Sequence, residues 1–115
     1  DWKSANHHLS QAINTYRHAA LGVAGAFSGL AQAATRPGAL DPKTKELIAM
    51  AIGVASRCDD CLGFHAKALV RLGASAGEFR EMLGVAVYMG GGPSLMYAAH
   101  ALAAFEEFSA AAQAE

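Results

Sequence analysis

At 115 residues the chain is long enough for one domain with its own core and too short for two ordinary ones. A formal net charge of −1 with scattered Lys and Arg leaves no basic stripe to hold a phosphate backbone, which argues against nucleic-acid binding. Hydrophobic residues make up 53% of the chain, above the usual range for a soluble domain. Yet the longest apolar run of the first half, Leu47 to Ala55, is far too short to span a bilayer. The apolar excess is therefore expected to lie between the subunits of a soluble homo-oligomer.

Every segment reads as helix, and no run alternates with a period of two. Asp1-Trp2-Lys3 leads into a polar stretch with His7 and His8 rather than into the apolar core of a signal peptide, so no secretory leader is expected. The missing initiator Met leaves a trimmed start open. Trp2, Ala5, Leu9, Ala12, Ile13, Tyr16, Ala20, Val23, Phe27 and Leu30 follow helical spacing. Gly22, Gly25 and Gly29 weaken the second half, predicting two helices or one that bends. Arg36-Pro37-Gly38 breaks the pattern.

Asp41-Pro42 reads as an N-cap followed by Pro at the first helical position. The helix it opens, to about Ser56, is apolar nearly all round at Leu47, Ile48, Ala51, Ile52 and Val54, which predicts the buried centre of the domain. A tight link through Arg57 reaches a helix with Asp59 and Asp60 in its first turn and Gly73 at its end. Ser75-Ala-Gly-Glu78 is a capping box, followed by Phe79, Met82, Leu83, Ala86 and Val87 on the inward face. Gly90-Gly91-Gly92-Pro93 separates this helix from a last one carrying Leu95, Ala99, Leu102, Phe105 and Phe108. With no strand before it and no Lys-Ser/Thr after it, the triple glycine is a helix stop and start, not a phosphate loop. The expected fold is all-α, a single domain of five to six helices over residues 1–115 with its core motif at 42–73.

Both cysteines of the chain, Cys58 and Cys61, fall in one CxxC, with His65 four residues further on. Two cysteines do not make a secreted disulfide scaffold, so a reducing cytoplasm is expected, where a CxxC is more often catalytic or metal-binding than structural. On a helix starting near Cys58, all three side chains share a face, and the helix N-terminus stabilises a thiolate. Glu46 lies about ten residues before the end of the preceding helix, roughly 15 Å along it, and in an antiparallel hairpin comes level with about residue 68. A carboxylate in an apolar helix needs a partner, and His65 is within a turn. Glu46, His65 and Cys61 would then form a base, oriented by a third group, beside a nucleophile. The same side chains, with Cys58, would also offer Zn²⁺ four ligands, although a structural zinc site normally takes a second paired set. Inert thiols are the third reading.

The segment "ELIAMAIGVASRCDDCLGFHAKAL", with Glu, eleven residues, CxxC, three residues and His, resembles the AhpD-like alkylhydroperoxidases of the carboxymuconolactone decarboxylase-like superfamily. The ending "GGGPSLMYAAHALAAFEEF" is similar to small members of that group. The resemblance implies an all-α subunit of a trimer or hexamer that reduces hydroperoxides by cycling the CxxC between dithiol and disulfide. It implies that Cys61 attacks, Cys58 resolves, and Glu46 and His65 relay the proton, with no haem, flavin or metal. An external dithiol or lipoyl-type reductant would restore the pair. One position departs: where the hydroperoxidase pattern has a histidine just before the second cysteine, this chain has Asp60, an anion that opposes thiolate formation. The alternative function is a non-enzymatic metal-binding or redox-sensing module using the same cluster. Elsewhere, His100 reads as a core or interface histidine, and His7, His8 and His18 as part of a polar face. Tyr88 and Tyr97 are expected to pack in the core, and Met50, Met82, Met89 and Met96 to fill it.

Overall fold

The computed structural model describes residues 1–114, and these form six helices and no strand: α1 (Trp2–Ala19), α2 (Leu21–Thr35), α3 (Pro42–Ala55), α4 (Asp59–Arg71), α5 (Ala76–Gly90) and α6 (Gly92–Ala114). Most of the starts are set by side-chain acceptors. Asp1 accepts from the Ser4 amide at 2.7 Å, and Asp41 accepts from Thr44 at 2.7 Å ahead of Pro42. Ser75 and Glu78 close the capping box reciprocally at 3.0 and 2.8 Å. A tertiary cap adds to α1: the Glu107 carboxylate on α6 accepts from the amides of Trp2 and Lys3 at 3.1 and 3.0 Å. These bonds hold the Asp41 and Glu78 carboxyls below the usual carboxylate range, through the Thr44 and Ser75 amides first. Because the folded values are depressed, the stability they contribute is present at neutral pH and lost as pH falls through them.

Helices α3 to α6 enclose the core. Met50 and Val54 of α3, Leu62, Ala66 and Leu69 of α4, Phe79 and Leu83 of α5, and Phe105 and Phe108 of α6 make one buried cluster. Phe79 stacks on Phe105 with ring centroids 4.2 Å apart. On α6 the stripe Ala98, Ala101 and Ala104 is buried, and these small side chains let its long axis lie close against α4, the most extensive helix pairing in the chain.

On α6 Leu95 and Ala99 are exposed, because the buried face runs back from Phe108 and Phe105 through Ala101 and Ala98 to Ser94. Residues 95 to 105 are apolar on most sides, so periodicity alone does not select the face. Helix α3 is not buried all round: Ile48 and Ile52 face outward, opposite Met50, Gly53 and Val54. Tyr88, Met89 and Met96 are exposed rather than core, while Met50 is fully buried and Met82 and Tyr97 pack against the core.

The first two helices depart most. They break at Ala20, ahead of the glycines rather than at them. Helix α1 buries only Asn6, and α2 buries nothing. Leu21, Val23, Phe27 and Leu30 are 69%, 64%, 69% and 63% exposed. The Cα radius of gyration, 14.4 Å, exceeds the value of about 13 Å for a compact chain of this length, as a projecting α2 requires. Among the described residues no helix is long and apolar enough to cross a membrane.

Because the Phe79 ring is fully buried against Phe105, Phe79→Ala is expected to cost about 3–5 kcal/mol in urea unfolding. A loss below about 1 kcal/mol would place the centre of the core elsewhere.

Candidate redox site

Helix α3 ends in a Schellman motif. The Arg57 amide donates to the Val54 carbonyl at 3.2 Å, and the Cys58 amide donates to the Gly53 carbonyl at 3.0 Å. Arg57 therefore adopts a left-handed conformation (φ 61°), the only described non-glycine residue to do so. Helix α4 closes in the same way, but with Gly73 (φ 79°) at the equivalent position. The sharp reversal makes Cys58 the N-cap of α4, and its sulfur accepts the Cys61 amide at 3.2 Å. Cys58 and Cys61, with Cα atoms 5.2 Å apart, are joined in a disulfide. Both are half-buried.

His65, one turn beyond Cys61, pairs through Nδ1 with Glu46 Oε1 on α3. Glu46 is the more buried partner, with 15% of its side chain exposed against 31% for His65. An ionised carboxylate only accepts, so in this pair Nδ1 of His65 is the donor. The hairpin register thus brings Glu46 level with residue 65, three residues short of the position expected from helix rise. Two pairs thus lie along the α3–α4 hairpin: Cys58 with Cys61 at its turn, and His65, one helical turn further along α4, with Glu46. Among the described residues no three His, Cys, Asp or Glu side chains form a cluster that could hold a metal ion.

A second histidine joins the corner unannounced by the sequence. His100 of α6 is exposed rather than buried, and its Nδ1 lies 2.9 Å from Asp59 Oδ1, next to Cys58. Its 41-residue separation from Asp59 carries no local pattern. Asp59, Asp60 and His100 also line a cleft of about 260 Å³ whose opposite wall is α1, through Trp2, Asn6 and Leu9. Helix α1 approaches α4 this closely because residue 63 is glycine. A Cβ there would collide with the Asn6 side chain and sit 3.3 Å from the Trp2 ring.

The sequence model of the carboxymuconolactone decarboxylase family matches residues 22–104. A carboxymuconolactone decarboxylase family protein from Legionella pneumophila superposes with a TM-score of 0.91 at 55% identity, over 94% of this chain and 96% of that one. A Thermotoga maritima protein of the same family gives 0.85 at 30% identity, over 94% and 92%. Among curated relatives, an uncharacterized protein of Cupriavidus necator is 45% identical over 74% of this chain and 75% of its own length. A protein of the Paracoccus denitrificans cox locus is 33% identical over 89% and 92%.

The left-handed Arg57 gives a direct test of the corner. Arg57→Gly relieves the Cβ clash and is expected to raise the unfolding free energy by about 0.5–1 kcal/mol. A decrease in urea midpoint would show that the Arg57 side chain makes a compensating contact.

Proposed function

The chain belongs to the carboxymuconolactone decarboxylase family, and we propose that within it this member is a CxxC-dependent thiol peroxidase or dithiol–disulfide oxidoreductase acting on hydroperoxides. The carrying observation is the Cys58–Cys61 disulfide at the start of a helix, one turn from a histidine oriented by a partly buried carboxylate. The Thermotoga relative, for which an antioxidative role has been suggested, supports the same direction.

In the proposed cycle His65 Nε2 takes the thiol proton of reduced Cys61, and Glu46 steadies the imidazolium. The Cys61 thiolate attacks the terminal peroxide oxygen; an S–O bond forms as the O–O bond breaks. His65 returns the proton to the departing alkoxide, releasing an alcohol. Cys58 then attacks the Cys61 sulfenic acid, expelling water and closing the disulfide. A lipoyl-type or other dithiol reopens the pair by exchange and leaves as its own disulfide. No haem, flavin or metal takes part in these steps. A reducing cytoplasm is the compartment in which such a pair would turn over.

The geometry also bears on the order of the two cysteines. The Cys61 amide pointing at the Cys58 sulfur favours a thiolate there. A stabilised thiolate leaves readily when an external dithiol attacks Cys61. That suits Cys58 to the resolving role, while proximity to His65 suits Cys61 to attack. Asp60, directly before Cys61, works against its ionisation and is expected to moderate the peroxidase rate.

The exposed apolar face of α2 supports assembly as a homo-oligomer, a trimer or a hexamer.

One equivalent of alkyl hydroperoxide is expected to remove two thiols from the reduced protein, and Cys58→Ser is expected to stop at a trappable sulfenic acid on Cys61. Glu46→Gln should slow alkylation of Cys61 at neutral pH by about tenfold, the effect of one unit in thiol pKa. Unchanged thiol counts together with stoichiometric bound zinc would instead make the cluster a metal site. For assembly, light scattering is expected to give three or six times the 11.9 kDa chain mass, and Phe27→Glu to lower it. A wild-type monomer would sink that part of the reading.

A further inference from the structure

The Asp59–His100 pair is not used by the relay above, yet Asp59 is the chain neighbour of Cys58 in the disulfide. Asp59 follows Cys58 directly and opens α4 with Asp60 beside it. Two carboxylates between two cysteines set negative charge where the chemistry needs a thiolate, and like charge at this range opposes ionisation. Among the described residues only one of the two has a side-chain partner: His100 Nδ1 lies 2.9 Å from Asp59 Oδ1. The imidazole is held in turn. Its ring meets Tyr97 edge-on at 5.7 Å, and Tyr97 packs on the core. The titratable groups around it are Asp59 and Asp60 from α4 and Tyr97 from α6, while the cleft residues of α1, Trp2, Ala5, Asn6 and Leu9, carry none.

We propose that His100 is a positioning residue of the redox site: by donating Nδ1–H to Asp59 it compensates the carboxylate beside Cys58 and so sustains the Cys58 thiolate in the reduced pair. The proposal rests on the CxxC being a redox pair, but its observable is the chemistry of the thiols rather than peroxide turnover. His100 then does for Cys58, through Asp59, what Glu46 and His65 do for Cys61. Both members of the pair are about half exposed, so the effect is a few-fold one.

The test is a double-mutant cycle on the full chain. Alkylation of each cysteine in the reduced protein is followed across pH by peptide mass. The disulfide plus two glutathiones is equilibrated with the dithiol plus glutathione disulfide. His100→Asn is expected to slow Cys58 alkylation at neutral pH about threefold and to shift the equilibrium about threefold toward the protein disulfide. Adding Asp59→Asn removes the uncompensated charge and is expected to return both readings to within about 1.5-fold of wild type. Overturning results are an unchanged Cys58 profile in His100→Asn, or a change that Asp59→Asn does not rescue, which would make the histidine a structural tether only. His100→Lys places an ammonium donor near Asp59 and, if compensation of the carboxylate is the mechanism, restores the rate; failure to do so counts against it. If these shifts occur while no hydroperoxide oxidises the pair, the peroxidase reading fails and the role of His100 stands. If peroxide oxidises the pair and the shifts are absent, the reverse holds.

Discussion

The reversal between α3 and α4 is the constraint on which the site depends. Cys58 donates its amide to close the end of α3, and its carbonyl accepts from Cys61 and Leu62 to open α4 at 3.0 and 3.2 Å. Its sulfur caps the same turn. One residue thus ends a helix, starts the next and carries the chemistry. Its position is set by backbone bonds that do not involve the disulfide, so those bonds can hold the corner when the pair is reduced. The left-handed Arg57 is the local cost of so abrupt a turn, of the order of 1–2 kcal/mol for a residue with a Cβ. The surrounding core, with Val54 and Leu62 fully buried on either side, holds it there.

Around that corner the electrostatics balance opposing terms. A helix N-terminus favours an anion on sulfur, while Asp59 and Asp60 disfavour one. Two histidine–carboxylate pairs flank the CxxC, one reaching from α4 back to α3 and the other from α4 across to α6. They differ in exposure: Glu46 is mostly buried, and a buried carboxylate without its partner is costly, whereas Asp59 and His100 are solvated. The inner pair is accordingly a stronger determinant of geometry, and the outer pair a finer adjustment of charge.

The first two helices belong to a different level of organisation. Helix α1 is fastened at its start by Glu107 and along its length by the approach of Asn6 to Gly63, so it walls the cleft beside Asp59. Helix α2 has no comparable anchor and presents an apolar face outward. Its amphipathic pattern is complete in sequence but has no counterpart within the protomer, the situation a second copy would resolve.

How much was legible in the sequence follows from the range of each interaction. Helix starts at Asp41 and Ser75, the stop at Gly73 and the all-α class rest on bonds between residues three or four apart, so the sequence by itself determined them. The CxxC, its placement at a helix start and the closeness of His65 to Cys61 are local in the same sense. Glu46 was within reach because a short antiparallel connection turns helix rise into a register, good to about one turn. What only the tertiary structure decided is which side of a nearly all-apolar helix faces in: Ser94 rather than Leu95 on α6, and Met50 rather than Ile48 on α3. Periodicity is silent there, because most faces would transfer from water equally well and packing against neighbouring helices makes the choice. The same holds for the Asp59–His100 pair, which exists only because α6 lies against α4, and for α2, whose apolar spacing reads as an inward face although the protomer leaves it exposed.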